Sequence, residues 1–83
     1  MIEIYSKTSC AWCVKAKELA DQYNLDYVEK NIDTAKNLNE LLLKMPDVKT
    51  IPQIFWNDRY IGGYAEFASE IENTIGGYGE GQC

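Results

Sequence analysis

Alternation opens the chain. Ile2 and Ile4 fall on one face and Glu3 and Tyr5 on the other, the two-residue period of a strand. It ends at Ser6-Lys7-Thr8-Ser9. From about Ala11 to Tyr23 the period becomes helical: Cys13, Ala16, Leu19, Ala20 and Tyr23 recur on one side, with Lys15, Lys17, Glu18 and Asp21 on the other. Small Ala16 and Ala20 suit close packing on a sheet. Asn24 closes this helix, and Asp26-Tyr27-Val28-Glu29-Lys30-Asn31-Ile32 reads as a second strand. Strand, helix and strand in succession predict a parallel βαβ unit.

Asp33 or Thr34 can cap the next helix, in which Leu38, Leu41, Leu42 and Met45 share a face and which Pro46 stops. After Asp47-Val48-Lys49-Thr50 and Ile51-Pro52, residues Gln53-Ile54-Phe55-Trp56 predict a third strand. Asn57-Asp58 is a two-residue turn signal, so Arg59-Tyr60-Ile61 returns as its hairpin partner. Gly62-Gly63 precedes a last helix with Phe67, Ala68, Ile71 and Ile75 on its buried face. The order βαβ-α-ββ-α predicts an α/β fold: a four-stranded mixed sheet flanked by three helices, which cover both faces. Residues 1–75 form one domain. Residues 76–83 hold four of the six glycines and are expected to be a flexible tail.

Composition narrows the function. At 83 residues the chain is one small domain, with 46% apolar residues and a net charge of −5. That balance argues against nucleic acid, whose phosphates would be repelled, and against a membrane surface. No targeting or transmembrane segment is legible, since the longest run of bulky aliphatics is Leu41-Leu42-Leu43. Three cysteines, an odd number, do not make a disulfide framework. The expected setting is a reducing cytoplasm.

Chemistry concentrates at Cys10-Ala11-Trp12-Cys13, which falls at a strand-to-helix turn. Two thiols three positions apart can close a disulfide and reopen it by exchange, and in this context the pair reads as a redox motif. A thiolate at the first turn of a helix is stabilised by unpaired backbone N–H groups and by the macrodipole, which lowers its pKa to the range ~3.5–7.5. Cys10 at the helix start is the expected attacking thiolate. Cys13, one turn further in, is expected to be more enclosed and to resolve mixed disulfides. A zinc site needs four ligands, whereas the chain has no histidine and only one further cysteine, Cys83. No metal is expected, and Cys83 on the tail is read as incidental. Lys7, Lys15 and Lys17 surround the motif and Lys49 precedes Thr50, four of the eight basic residues in an acidic chain. Lys15 and Lys17 are read as the solvated face of the first helix. Tyr5, Tyr23, Tyr27 and Trp56 are read as core or sheet-face aromatics.

Residues 1 to about 75 resemble the glutaredoxin family, within the thioredoxin-like fold. Three landmarks carry the resemblance: Cys10-Ala11-Trp12-Cys13 after the first strand, Thr50-Ile51-Pro52 before the third, and Gly62-Gly63 after the fourth. The resemblance implies that Ile51–Pro52 is cis and faces the cysteines, presenting the backbone of Ile51 as an edge for an extended thiol peptide. It implies that Gly62 and Gly63 admit glutathione to the helix start, where the N–H groups of Tyr64 and Ala65 bind its γ-glutamyl carboxylate. Lys7 and Lys49 are the expected partners of the glycyl carboxylate and the thiolate. Glu66 is expected to pair with the α-amino group, and Trp12 to shelter the site.

The family's usual Pro-Tyr between the cysteines is Ala11-Trp12 here, which leaves an N–H at position 11 free to bond the thiolate. The resemblance implies a monomeric dithiol glutaredoxin with glutathione as co-substrate. Its partners would be disulfide-containing or glutathionylated proteins, with ribonucleotide reductase a candidate. Two other readings stay open. One is a thioredoxin-like hydrogen donor to ribonucleotide reductase. The other is a glutaredoxin that holds a glutathione-ligated 2Fe–2S cluster between two subunits.

Overall fold

A computed structural model describes residues 1–73; the expected tail with Cys83, and Ile75, lie outside the described residues. The elements are β1 (Ile2–Ser6), α1 (Ala11–Gln22), β2 (Tyr27–Asn31), α2 (Ala35–Lys44), β3 (Gln53–Trp56), β4 (Arg59–Gly62) and α3 (Tyr64–Ile71). They follow the expected order, and the sheet runs β2-β1-β3-β4. β1 and β2 pair in parallel, Ile4 opposite Glu29, while β1 and β3 pair antiparallel, Ile4 opposite Ile54. β3 and β4 form the antiparallel hairpin. Its turn residues Asn57 and Asp58 have φ of 53° and 67°, the left-handed pair that matches the twist of the strands it joins.

Because successive side chains on β1 point to opposite faces, one strand serves two cores. Ile2 and Ile4 pack with Ala16 and Ala20 of α1, Ile54 of β3, and Phe67 and Ile71 of α3. Ala16 and Ala20 are fully buried, so small side chains bring α1 close to the sheet. Tyr5 and Phe55 point the other way, onto Leu41 of α2. Tyr23, Tyr27 and Trp56 are half-buried against the first core, as expected of sheet aromatics. α2 buries Leu41 alone, whereas Leu42 remains 38% exposed because the helix covers its face of the sheet without a second helix beside it.

One local expectation, a side-chain cap on α2, is corrected. Thr34 occupies the N-cap of α2 without a side-chain capping bond. Asp33 is engaged elsewhere: its carboxylate accepts from the backbone N–H and the hydroxyl of Thr8. It ties the end of β2 to the loop before the cysteines, which matters more to the site than to α2. Asn24, with φ of 56°, ends α1 in the left-handed conformation that asparagine tolerates.

Candidate active site

β1 ends at Ser6, and four residues later the chain turns into α1. Ser9 has φ of 63°, a left-handed turn that sets Cys10 at the N-cap of the helix. Cys10 and Cys13 are joined as a disulfide, their Cα atoms 5.3 Å apart. The pair is asymmetric: Cys13 is 1% exposed, whereas Cys10 is only half-buried. The outer and inner assignments read from the sequence therefore hold in space. The sulfur of Cys10 accepts a hydrogen bond from the backbone N–H of Cys13 at 3.2 Å. The donor is thus Cys13, and not the Ala11 N–H suggested by the missing proline, because N-cap geometry aims the side chain at the third helical residue.

The loop ahead of β3 closes over this sulfur. Ile51–Pro52 is cis, and the carbonyl oxygen of Ile51 lies 3.9 Å from the Cys10 sulfur. Sequence reasoning missed the residue that braces this loop. Gln53 is 4% exposed, and its amide donates to the carbonyl and the hydroxyl of Thr50, each at 2.9 Å. Its amide oxygen accepts from the Tyr60 hydroxyl at 2.8 Å. A buried amide must be bonded, and here two bonds tie β3 to the loop while the third ties β3 to β4.

Two grooves flank the cysteines. The first, of about 460 Å³, is lined by Lys7, Thr8, Ser9, Cys10, Cys13, Lys17, Glu29 and their neighbours. The second, of about 530 Å³, is lined by Trp12, Thr50, Ile51, Pro52, Gly63, Tyr64 and Ala65. Cys10 lines the first and, through the Ile51 contact, adjoins the second. Most of the sequence-predicted residues therefore line one or the other of these two grooves. Lys49 does not line either groove; it borders a third hollow over Leu41 and Leu42 that shares Thr50 and Ile51 with the second. Gly62 is buried beneath the start of α3 with φ of 126°. The Glu66 carboxylate accepts from the Gly63 N–H at 2.9 Å, so it caps its own helix and is not a free anion in the groove.

Lys17 and Lys15 are more than a solvated face. Lys17 pairs with Glu29 at 2.8 Å, and Glu29 also accepts from the buried Ser6 hydroxyl at 2.7 Å. The Lys17 bond first, and the Ser6 bond second, hold the Glu29 carboxyl below its ordinary range, so the first groove carries a charged pair. The Lys15 ammonium sits 4.5 Å from the centre of the Trp12 ring. The other neighbour of Trp12 is Tyr64, with centroids 5.4 Å apart and planes tilted by 47°. A half-exposed sulfur at a helix N-cap, with a buried thiol partner and open grooves beside it, is equipped for thiol–disulfide exchange.

Comparisons with known proteins agree with this geometry. The family model for glutaredoxin matches residues 2–61. Glutaredoxin 1 of Escherichia coli is 32% identical over 81 residues, covering 87% of this chain and 93% of that protein. Mitochondrial glutaredoxin-2 of mouse is 38% identical over 78% of this chain, which spans only 44% of the mouse protein. Among solved structures, a buckwheat glutaredoxin–glutathione complex superposes with a TM-score of 0.72 at 25% identity, covering 87% of this chain and 68% of that one. A family match across most of the described fold, joined to a bacterial relative aligned along almost its whole length, leads to one conclusion: this chain belongs to the glutaredoxin family.

Proposed function

We propose that the protein is a glutathione-dependent thiol–disulfide oxidoreductase that reduces protein–glutathione mixed disulfides and protein disulfides in a reducing compartment such as the cytoplasm. The observation that carries this reading is the position of the Cys10 sulfur, at a helix N-cap and 3.9 Å from the Ile51 carbonyl that borders the second groove. Glutathione is the expected occupant of that groove. Its cysteinyl backbone would run along the Ile51 edge as a short added strand, and its γ-glutamyl carboxylate would meet the N–H groups of Tyr64 and Ala65. Lys7, in the first groove, and Lys49, beyond Thr50, are the cations offered to the glycyl carboxylate and the thiolate. Gly62 and Gly63 keep the helix start open. The buckwheat protein's glutathione complex supports the same ligand for this chain.

In the proposed cycle the Cys10 thiolate attacks the glutathione sulfur of the mixed disulfide. A bond between Cys10 and glutathione forms, and the protein thiolate leaves with the electron pair and takes a proton from water. A second glutathione thiolate then attacks that adduct, giving glutathione disulfide and regenerating the Cys10 thiolate. For a disulfide within one protein, Cys10 forms the mixed disulfide and Cys13 displaces the reduced partner, leaving the Cys10–Cys13 bond. The test is reduction of a small glutathione mixed disulfide, coupled to glutathione reductase. Cys10→Ser should lose all turnover, while Cys13→Ser should keep deglutathionylation and lose reduction of intramolecular disulfides. Turnover retained by Cys10→Ser would overturn the reading.

A further inference from the structure

Trp12 is 54% exposed, yet its ring is held on two sides, by the Lys15 ammonium and by the Tyr64 ring. An exposed aromatic with fixed orientation next to a reacting sulfur has the character of a contact anchor. The charges around it are sorted. Lys17, Lys30, Lys44 and Arg59 all pair with carboxylates. Among the described residues Lys7, Lys15, Lys36 and Lys49 have no ion-pair partner; Lys36 lies on α2, and the other three border the cysteine pair or the loop facing it. In a chain of net charge −5, three of these four unpaired lysines thus gather at one place. Lys15 rests over the indole face, so its N–H donors have no protein acceptor among the described residues and remain available to a carboxylate.

We propose, building on the glutathione-dependent reading above, that the Trp12–Tyr64 face with Lys15 at its rim docks the protein half of the substrate and selects acidic segments. The preferred target is a cysteine with aspartate or glutamate within a few residues. With glutathione lying along Thr50–Pro52 and Gly63–Ala65, the protein segment leaves the groove across its remaining wall, which is Trp12. There an apolar stem packs on the indole and a carboxylate meets Lys15. In the exchange step the protein thiolate is the leaving group, so these contacts hold the departing half in line with the Cys10 sulfur. Glu66, the acidic group nearest the groove's helix start, is turned onto the Gly63 N–H. Its charge is thereby drawn back toward its own helix.

The experiment uses two glutathionylated peptides of equal length, with the cysteine flanked by glutamate in one and by lysine in the other. A neutral mixed disulfide of glutathione and mercaptoethanol is the third substrate. Wild type should prefer the acidic peptide by about tenfold in kcat/KM. Lys15→Gln should lower that preference by about threefold, and Lys15→Glu should abolish or invert it. Lys36→Glu makes the same change in net charge on α2, on the opposite face of the sheet, and should leave the preference in place. Equal shifts from Lys15→Glu and Lys36→Glu, or no preference in wild type, would overturn the docking proposal alone. A wild type that turns over the acidic peptide but not the neutral disulfide would support docking as the dominant recognition. Failure on all three substrates would overturn the glutathione reading and this proposal with it.

Discussion

At the scale of single residues, Gln53 shows how a side chain that touches no sulfur governs where one sits. Its donors hold Thr50 and its acceptor holds Tyr60. Gln53→Glu keeps an acceptor for Tyr60 and for the Thr50 hydroxyl, but loses the bond to the Thr50 carbonyl and sets a carboxylate against it. It should raise KM for a glutathione mixed disulfide with a smaller change in kcat, and should lower stability by about 1–3 kcal/mol. Tyr60→Phe leaves the Thr50 bonds intact and should leave KM near wild type, so steady-state kinetics on the pair tests the brace. Gly62 is the other position with no tolerance. A Cβ there would lie 2.9 Å from both Cβ and Cγ of Glu66, on a backbone with φ of +126°. Gly62→Ala should cost about 2 kcal/mol, or roughly 10 °C in Tm by thermal denaturation.

At the scale of elements, most of the fold was legible because period and punctuation agreed. The two-residue alternation of β1, the helical spacing of Cys13, Ala16 and Ala20, and the Asn57-Asp58 turn each match the observed structure. That turn also gives a prediction. Asp58 holds φ of 67° without the freedom of glycine, so Asp58→Gly should stabilise the hairpin by about 0.5–1 kcal/mol and raise Tm by a few degrees. The cysteines were legible as a site, and so were the loop and helix start opposite them. Gln53 was not, because a glutamine in an apolar strand carries no signal of what lies across the sheet. Lys15 and Lys17 share a polar helix face in sequence, and only the positions of Trp12 and of β2 distinguish one as an indole contact and the other as a carboxylate partner. Glu66 was read as a ligand contact because the nearness of its own helix start is a matter of rotamer, which spacing leaves open.

At the scale of the molecule, paired charges on the two faces of the sheet, Lys17–Glu29 on one and Glu3, Lys30, Glu40 and Lys44 on the other, set the response to pH. Glu3 and Glu29 are held below the ordinary value of 4.5, chiefly by hydrogen bonds from Lys44 and Lys17, and Glu40 is lowered likewise by Lys30. A carboxylate with a lowered folded-state pKa adds stability above its unfolded value, and that stability is lost as pH falls through the folded one. Lys30 and Lys44 are raised above 10.5, chiefly by Glu40 and Glu3, so their contribution is present below that value and lost as pH rises further. Stability should be flat near neutrality and decline in acid. Following Tm from about pH 7 to about pH 3 should show that decline, and Glu29→Gln should flatten part of it. An unchanged acid limb in the variant would mean that the Lys17–Glu29–Ser6 group carries no net stability.

The unequal burial of the two sulfurs also decides which kind of damage the protein can suffer. An oxidant or alkylating reagent meets Cys10 long before it meets Cys13, which is 1% exposed. If peroxide converts Cys10 to a sulfenic acid, the inner thiol is one helical turn away and condenses with it, expelling water and closing the Cys10–Cys13 bond before oxidation climbs to the irreversible acids. The buried cysteine thus works as a fuse that resets. The state in which the protein shelters from oxidative stress is the same one from which a fresh supply of thiols returns it to service.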